Sequence, residues 1–292
     1  MKILILPTFL KNRLDTWPYI QLFYAIRDTL CFELRFADKI DIPSNTDELF
    51  LWGMPYHNRP NLVPGFDNLN SATKLILHTG DINCHNDDWC LKNKLKVFER
   101  CDVILSPSYE YFLLTYPQFM DKHVYLPASF STHDRYVGLS YNTNPIMKCL
   151  LSGTVSWAYP LRSFIKNNKT KYIECIGKKD GYVGYRYAKL LNSYFCCVTS
   201  SGVSKVALTK FFEIPAAGSL LLVDRIKDLD RLGFIPYKHY VPINRENVFD
   251  KILHCLNCPD QYDDIRRRGM EFVRSNHSIR NRIEELNKIL GV

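Results

Sequence analysis

Residues 205–224 read Lys-Val-Ala-Leu-Thr-Lys-Phe-Phe-Glu-Ile-Pro-Ala-Ala-Gly-Ser-Leu-Leu-Leu-Val-Asp, and this stretch decides the fold. Read as a helix, it sets Val206, Lys210, Glu213 and Ala217 along one face, with Lys205 and Thr209 beside them. Leu208, Phe211 and Phe212 lie round the cylinder and can pack inward. Gly218 stands where a left-handed residue stops a helix. Residues 220–223, Leu-Leu-Leu-Val, are too continuously apolar for a half-exposed strand and predict one buried on both faces. Lys210 and Glu213 share a helical face, so a cation and a carboxylate stand together. A nucleoside diphosphate uses the first for its phosphates and the second to accept from ribose hydroxyls. An ordinary surface ion pair accounts for the same two residues without a ligand.

Outward from this stretch, apolar strands alternate with helical segments. Towards the C-terminus, strands are expected at 146–151, 172–176, 195–198 and 240–243, and helices at 185–192, 229–232, 248–256 and 260–274. The last helix, 279–290, repeats Ile279, Ile283, Leu286 and Leu290 at helical spacing, with Ser278 as its N-cap. The first half gives strands at 3–6, 32–36, 49–52, 75–78, 103–105 and 124–126, and helices at 17–30 and 88–98. Alternation of this kind predicts parallel sheets covered on both faces. Residues 129–144 are polar, lack periodicity and end at Pro145, which reads as a linker. The expected fold is α/β with two Rossmann-like domains, 1–144 and 145–277, and a terminal helix, 278–292.

In such sheets ligands gather beyond the carboxyl ends of strands. After strand 146–151, Gly153 permits a tight turn, and the helix starting near Tyr159-Pro160 offers amides to an anion, with Arg162 in its first turn. Ser200-Ser201-Gly202 opens the quoted motif; Ser201 can reach phosphate or sugar, or cap a helix. In the first half, strand 75–78 runs into His78-Thr-Gly-Asp81-Ile-Asn-Cys-His85. Asp81 is the candidate general base, with His78 and His85 as alternatives; capping of a turn is the competing use of Asp81.

Lys-Phe-Phe-Glu-Ile-Pro-Ala-Ala-Gly followed by an apolar strand and Asp224 resembles the nucleotide-sugar motif of glycosyltransferases with two Rossmann-like domains (GT-B architecture), and most nearly that of the CgeB-like transferases. Relatives carry a pair of glutamates, the second just before a small-residue turn; Glu213 matches the second, and Lys205 stands at the first. Gly153 followed by Tyr159-Pro-x-Arg162 resembles the phosphate-side loop of that family, and Gly177-Lys178-Lys179-Asp180-Gly181 resembles its nucleobase-bordering loop. The resemblance implies a cleft between the domains, a terminal helix crossing back onto the first, and a donor held by the second. Gly153, Tyr159, Arg162, Gly177, Lys178, Ser201, Lys205, Lys210, Phe211 and Glu213 then line the donor site. Glu213 would hold ribose, while Arg162, Lys210 and Lys205 would neutralise the diphosphate.

Composition narrows the classes. The chain has 292 residues and a formal charge of +8, which suits an anionic ligand; its basic residues are dispersed and do not single out nucleic acid. Ten cysteines without a recognisable export signal point to reduced thiols and a cytoplasmic setting. No stretch approaches the ~20 apolar residues of a membrane span. Cys255-Leu-Asn-Cys258 lacks a second pair, and Cys84, His85 and Cys90 lack an obvious fourth ligand, so no zinc is assigned. No Asp-x-Asp appears at a suitable strand end. The expectation is a metal-independent glycosyltransferase without a resident cofactor, moving sugar from a nucleoside diphosphate sugar, a uridine one by resemblance, to a glycan or other hydroxyl acceptor. An epimerase on the same scaffold and a non-enzymatic carbohydrate- or nucleotide-binding protein are the rivals.

Overall fold

The computed structural model describes residues 1–13, 20–53, 68–80, 88–130, 136, 138–177 and 180–291. It divides the chain into two compact units, Met1–Pro127 with Glu285–Val292, and Ala128–Glu284.

In the first unit, strands β1 (Lys2–Leu6), β2 (Glu33–Phe36), β3 (Glu48–Trp52), β4 (Lys74–His78), β5 (Val103–Ser106) and β6 (His123–Tyr125) form one sheet in the order β2-β1-β3-β4-β5-β6. Every pairing is parallel. Runs such as Ile3–Leu6 are apolar at every position because helices cover both faces of a parallel sheet; all four residues are buried. Helices α1 (Ile20–Leu30), α2 (Asp88–Arg100) and α3 (Tyr109–Thr115) connect the strands. Phe98 of α2 packs against Phe112 and Tyr116 with ring centroids 5.6 and 5.1 Å away, which anchors α3. That seven-residue helix is too short to show a helical period and is absent from the expectations.

The second unit holds β7 (Ile146–Ser152), α4 (Pro160–Asn167), β8 (Ile173–Ile176), α5 (Gly184–Ser193), β9 (Tyr194–Val198), α6 (Lys210–Ala216), β10 (Leu220–Val223), α7 (Lys227–Arg231), β11 (Val241–Pro242), α8 (Val248–Asn257) and α9 (Pro259–Asn276). Its sheet runs β11-β10-β9-β7-β8, again all parallel. The chain steps outward from β7 to β8, then crosses back to β9 and builds towards the other edge. The strand order therefore reverses between β7 and β9, and sheets of this kind form their ligand crevice beyond the carboxyl ends of the strands at such a reversal.

Two readings are corrected. The helix expected to begin at Lys205 starts at Lys210, because Gly202 (φ 74°) and Lys205 (φ 53°) are left-handed and break any helical path. Its end is as expected: Gly218 at φ 82° closes a double hydrogen bond, Ser219 N–H to the Ile214 carbonyl at 3.2 Å and Gly218 N–H to that of Pro215 at 2.8 Å. The second correction concerns residues 129–144, read as a linker. Phe130, Tyr136 and Leu139 are buried, and the Tyr141 ring lies 4.6 Å from the buried Arg266 guanidinium of α9. Arg266 in turn donates to the carbonyls of Asn142 and Gly218. Scattered aromatic anchors hold the segment down where periodicity could not show it.

The last helix, α10 (Ile279–Leu290), keeps its predicted bounds. Ser278 Oγ accepts from Asn281 N–H at 3.2 Å, and the Asn281 side chain accepts from Ser278 N–H at 2.9 Å, a reciprocal cap. Just ahead of it, His277 is buried among Phe212, Phe234 and Phe272. Its Nδ1 accepts from Arg282 at 2.8 Å, so Nε2 carries the proton and donates to the Leu232 carbonyl at 3.1 Å. Burial first, and then the Arg282 charge, push its pKa down to about 3.

A histidine whose pKa is depressed on folding binds a proton more readily in the unfolded chain, so acid favours unfolding. The stability is intact above the unfolded value near 6.5 and is lost progressively as pH falls towards 3. By pH 5 the loss is about 2 kcal/mol from His277 alone. Denaturant midpoints are accordingly expected to fall between pH 7 and pH 5, with a shallower fall in His277→Gln. An equal slope in both proteins would remove His277 from this account.

Candidate functional site

Three loops leave the carboxyl ends of β7, β8 and β9, and Arg162 ties two of them together. From the first turn of α4 its guanidinium donates to Thr199 Oγ1 at 2.7 Å and the Ser200 carbonyl at 3.0 Å, after β9, and to the Thr154 carbonyl at 3.3 Å, after β7. The Tyr159 ring lies 4.0 Å from the guanidinium carbon. Arg162 is buried, and although burial lowers its pKa, an arginine stays charged at any working pH. The sequence placed it as a simple phosphate ligand; the structure also makes it the clasp that shapes the crevice.

Gly202 explains how closely these loops meet. A Cβ there would lie 2.6 Å from the Ala158 carbonyl oxygen and 3.0 Å from the Tyr159 ring, and φ is 74°. Only glycine fits. Ser201 is committed to Asp224, the first residue past β10: both its N–H (2.7 Å) and its hydroxyl donate to that carboxylate. Lys205 reaches the same carboxylate at 3.5 Å from a side chain that is largely exposed. Ser201 and Lys205 thus sit at the crevice with Asp224 as their partner, and Asp224 went unremarked as a site residue. Its place as the first polar residue after a buried strand was the available signal.

Lys210, at the start of α6, enters the crevice beside Gly153. A Cβ on Gly153 would come within 2.5 Å of Lys210 Cε, and Gly153 holds φ 105°, so the glycine makes room for the lysine stem. The ammonium donates to Tyr187 Oη of α5 and lies 4.5 Å from the centroid of that ring. Tyr187 Oη also shares a hydrogen bond of 2.6 Å with Ser152 Oγ, at the end of β7. Burial works against the Lys210 charge, yet Tyr187 and Glu213 outweigh it and its pKa stands above the ordinary lysine value. Arg162 is near enough for its charge to oppose that of Lys210. Two cations therefore converge at the reversal of strand order, with the buried Glu213 carboxylate one turn along α6.

The remaining expectations divide. Gly177 follows β8, its N–H donating to Asp180 Oδ2 at 2.7 Å; Lys178 lies outside the described residues. Phe211 is fully buried, its side chain part of the interior and not of a ligand surface. In the first unit, Asp81 and His85 lie outside the described residues. His78 ends β4 and is fully buried; its Nδ1 accepts from Gly80 N–H at 3.1 Å, and burial pushes its pKa down to about 3. A buried imidazole held neutral down to about pH 3, with its acceptor nitrogen already engaged, is a poor proton acceptor for a substrate, so His78 is withdrawn as an alternative base.

Tyr187 and Ser152 were missed. Tyr182, Tyr185 and Tyr187 follow one another in the sequence with nothing to distinguish the one that turns towards a lysine. Among the described residues, no group of three or more His, Cys, Asp or Glu side chains could hold a metal ion, and no helix is long and apolar enough to cross a membrane.

Residues 162–288 match a family model described as glycosyl transferase-like, beginning at Arg162 and ending within α10. No curated protein matches the chain in sequence. Among solved structures, the chain is similar to Alr3699/HepE from Anabaena in complex with UDP and glucose, at 10% identity and a TM-score of 0.64, covering 100% of this chain and 99% of that one. A glycosyltransferase from Rickettsia africae gives 12% identity, a TM-score of 0.59, and coverage of 98% and 96%. The pneumococcal O-GlcNAc transferase GtfA, in complex with UDP and GlcNAc, gives 10% identity and a TM-score of 0.54; this chain is covered over 84% of its length and spans 57% of that protein. The fold is that of the GT-B glycosyltransferases, two parallel α/β units, and the match to the glycosyl transferase-like family model is confined to residues 162–288. The matched description is that of the broad family and does not distinguish the CgeB-like subgroup.

Proposed function

We propose that this chain is a glycosyltransferase that binds a nucleoside diphosphate sugar, a uridine one first among the candidates, on its second unit. The sugar passes to a hydroxyl of a glycan or similar acceptor. The observation that carries the reading is the convergence of Arg162 and Lys210 beside the buried Glu213 carboxylate, at the carboxyl ends of β7 and β9. A diphosphate leaving group needs opposing positive charge that grows in value as its bond to the sugar breaks, and fixed cations in a crevice supply it without a divalent ion. The UDP bound by Alr3699/HepE and GtfA supports the choice of nucleotide.

The acceptor oxygen forms a bond to the anomeric carbon while the bond from that carbon to the terminal phosphate oxygen breaks. The acceptor's proton goes to a base, and the nucleoside diphosphate departs with the bond's electron pair. Arg162 and Lys210 act on the departing phosphate; Glu213 accepts from ribose hydroxyls and fixes the donor's register.

Isothermal titration with UDP and UDP-glucose tests this directly. Glu213→Ala is expected to weaken UDP by roughly 10- to 100-fold, the loss of a charged hydrogen-bond partner worth about 1.5–3 kcal/mol. Affinity for inorganic pyrophosphate, which has no ribose, should not change. Equal UDP affinity in wild type and a folded Glu213→Ala protein would take the carboxylate out of the site.

A further inference from the structure

Three residues from two places outside α6 fix the Lys210 side chain: Gly153 makes room for the stem, Ser152 and Tyr187 share a hydrogen bond beside the ammonium, and the Tyr187 ring faces the charge. A lysine stem has four rotatable bonds, and freezing it costs side-chain entropy. A cation that is already placed when the ligand arrives has met that cost in folding, so more of its attraction reaches the phosphate.

From this we infer that Tyr187 is a positioning residue for the donor diphosphate: its hydroxyl, braced by Ser152, presents the Lys210 ammonium to the phosphates without touching the substrate. The inference rests on the donor reading given above. Tyr187 suits the task because a phenol accepts from an ammonium and donates to a serine at once. Its own pKa is raised, by burial first, with Lys210 acting in the opposite direction; it stays a neutral phenol and does not cancel the lysine charge. Phenylalanine at the same place keeps the ring and the packing and removes only the oxygen, so Tyr187→Phe isolates the hydrogen bond.

Two readouts decide the matter. In the first, UDP affinity is measured in wild type, Tyr187→Phe, Lys210→Met and the double variant. Tyr187→Phe is expected to weaken UDP roughly tenfold, the value of one hydrogen bond to a charged group. It should have no effect in the Lys210→Met background and none on uridine, which has no phosphate. Ser152→Ala, which removes only the brace, should weaken UDP roughly threefold and stands in if Tyr187→Phe does not fold. The second readout needs no donor: the proton exchange of the Lys210 ammonium with water, followed by NMR of 15N-lysine-labelled protein and assigned through Lys210→Met. Loss of the phenol should speed that exchange roughly tenfold, in proportion to the lost hydrogen bond.

A Tyr187→Phe penalty that persists in the Lys210→Met background, or unchanged ammonium exchange, overturns the positioning role. Failure of the wild type to bind UDP overturns the donor reading instead, and the ammonium exchange then decides the role of Tyr187 alone.

Discussion

Replacing Lys210 by methionine is expected to lower the rate of sugar transfer by about 10²–10³, the usual loss when one fixed donor to a developing negative charge is removed. The effect belongs in kcat more than in donor binding. In the bound donor the diphosphate charge is shared with the sugar bond, and in the transition state it moves onto the terminal phosphate, which on the proposed reading lies at Lys210. Methionine retains most of the stem's length and bulk, so the space beside Gly153 stays filled and the α6 start is undisturbed. Arg162 is a poorer choice for the same experiment. Its guanidinium holds Thr154, Thr199 and Ser200 together, so its removal opens the loops as well as removing a charge. Steady-state kinetics with the proposed UDP-sugar donor, with uridine affinity as the control, checks the outcome. A Lys210→Met protein with unchanged kcat would place the leaving diphosphate elsewhere.

How far the sequence led depends on what each residue's surroundings demand of it. Parallel strands were legible because burial on both faces leaves no polar position, as in residues 3–6 and 220–223. Helix α10 was legible to the residue because both its period and its Ser278 cap are local. The start of α6 was not, because the left-handed turn at Lys205 is imposed from outside: the Asp224 carboxylate takes up Ser201 and Lys205. Propensity alone favours carrying the helix back through that lysine.

The site divides in the same way. Lys210, Glu213 and Arg162 stand out in the sequence because they sit in a motif or directly beyond a strand, and the structure brings the three to the same end of the sheet. Tyr187 was not, because what matters about it is an atom brought close by the crossover from β8 through α5 to β9, and no spacing in the sequence encodes that approach. The reading of His78 failed for a related reason. Its place at the end of strand 75–78 is as expected, but the expectation that it opens onto the polar loop is not met: it pairs in register with Trp52 and Leu105 and is buried with the strand.

With His78 withdrawn, the second large effect is expected at Asp81. This residue follows Gly80, where the chain leaves β4 at φ 61° with the Trp52 ring only 3.1 Å from the position a Cβ would take. Asp81 is the next residue in the chain and lies outside the described residues. We propose it as the base that takes the acceptor's proton in an inverting transfer. Asp81→Asn preserves size and most capping ability while removing basicity. Transfer should therefore fall by roughly 10²–10⁴, the usual contribution of a general base, with UDP affinity little changed. The pH dependence of kcat/KM in the wild type separates the candidates. A carboxylate base is lost as pH falls through about 4, whereas a solvated His85 would give an acid limb near 6.5. His78, neutral down to about 3, contributes no limb in the working range. An acid limb near 6.5 that vanishes in His85→Gln would move the base to His85. Near-normal turnover in Asp81→Asn, with the protein folded and UDP still bound, would return Asp81 to capping the turn and leave a retaining mechanism, which needs no such base.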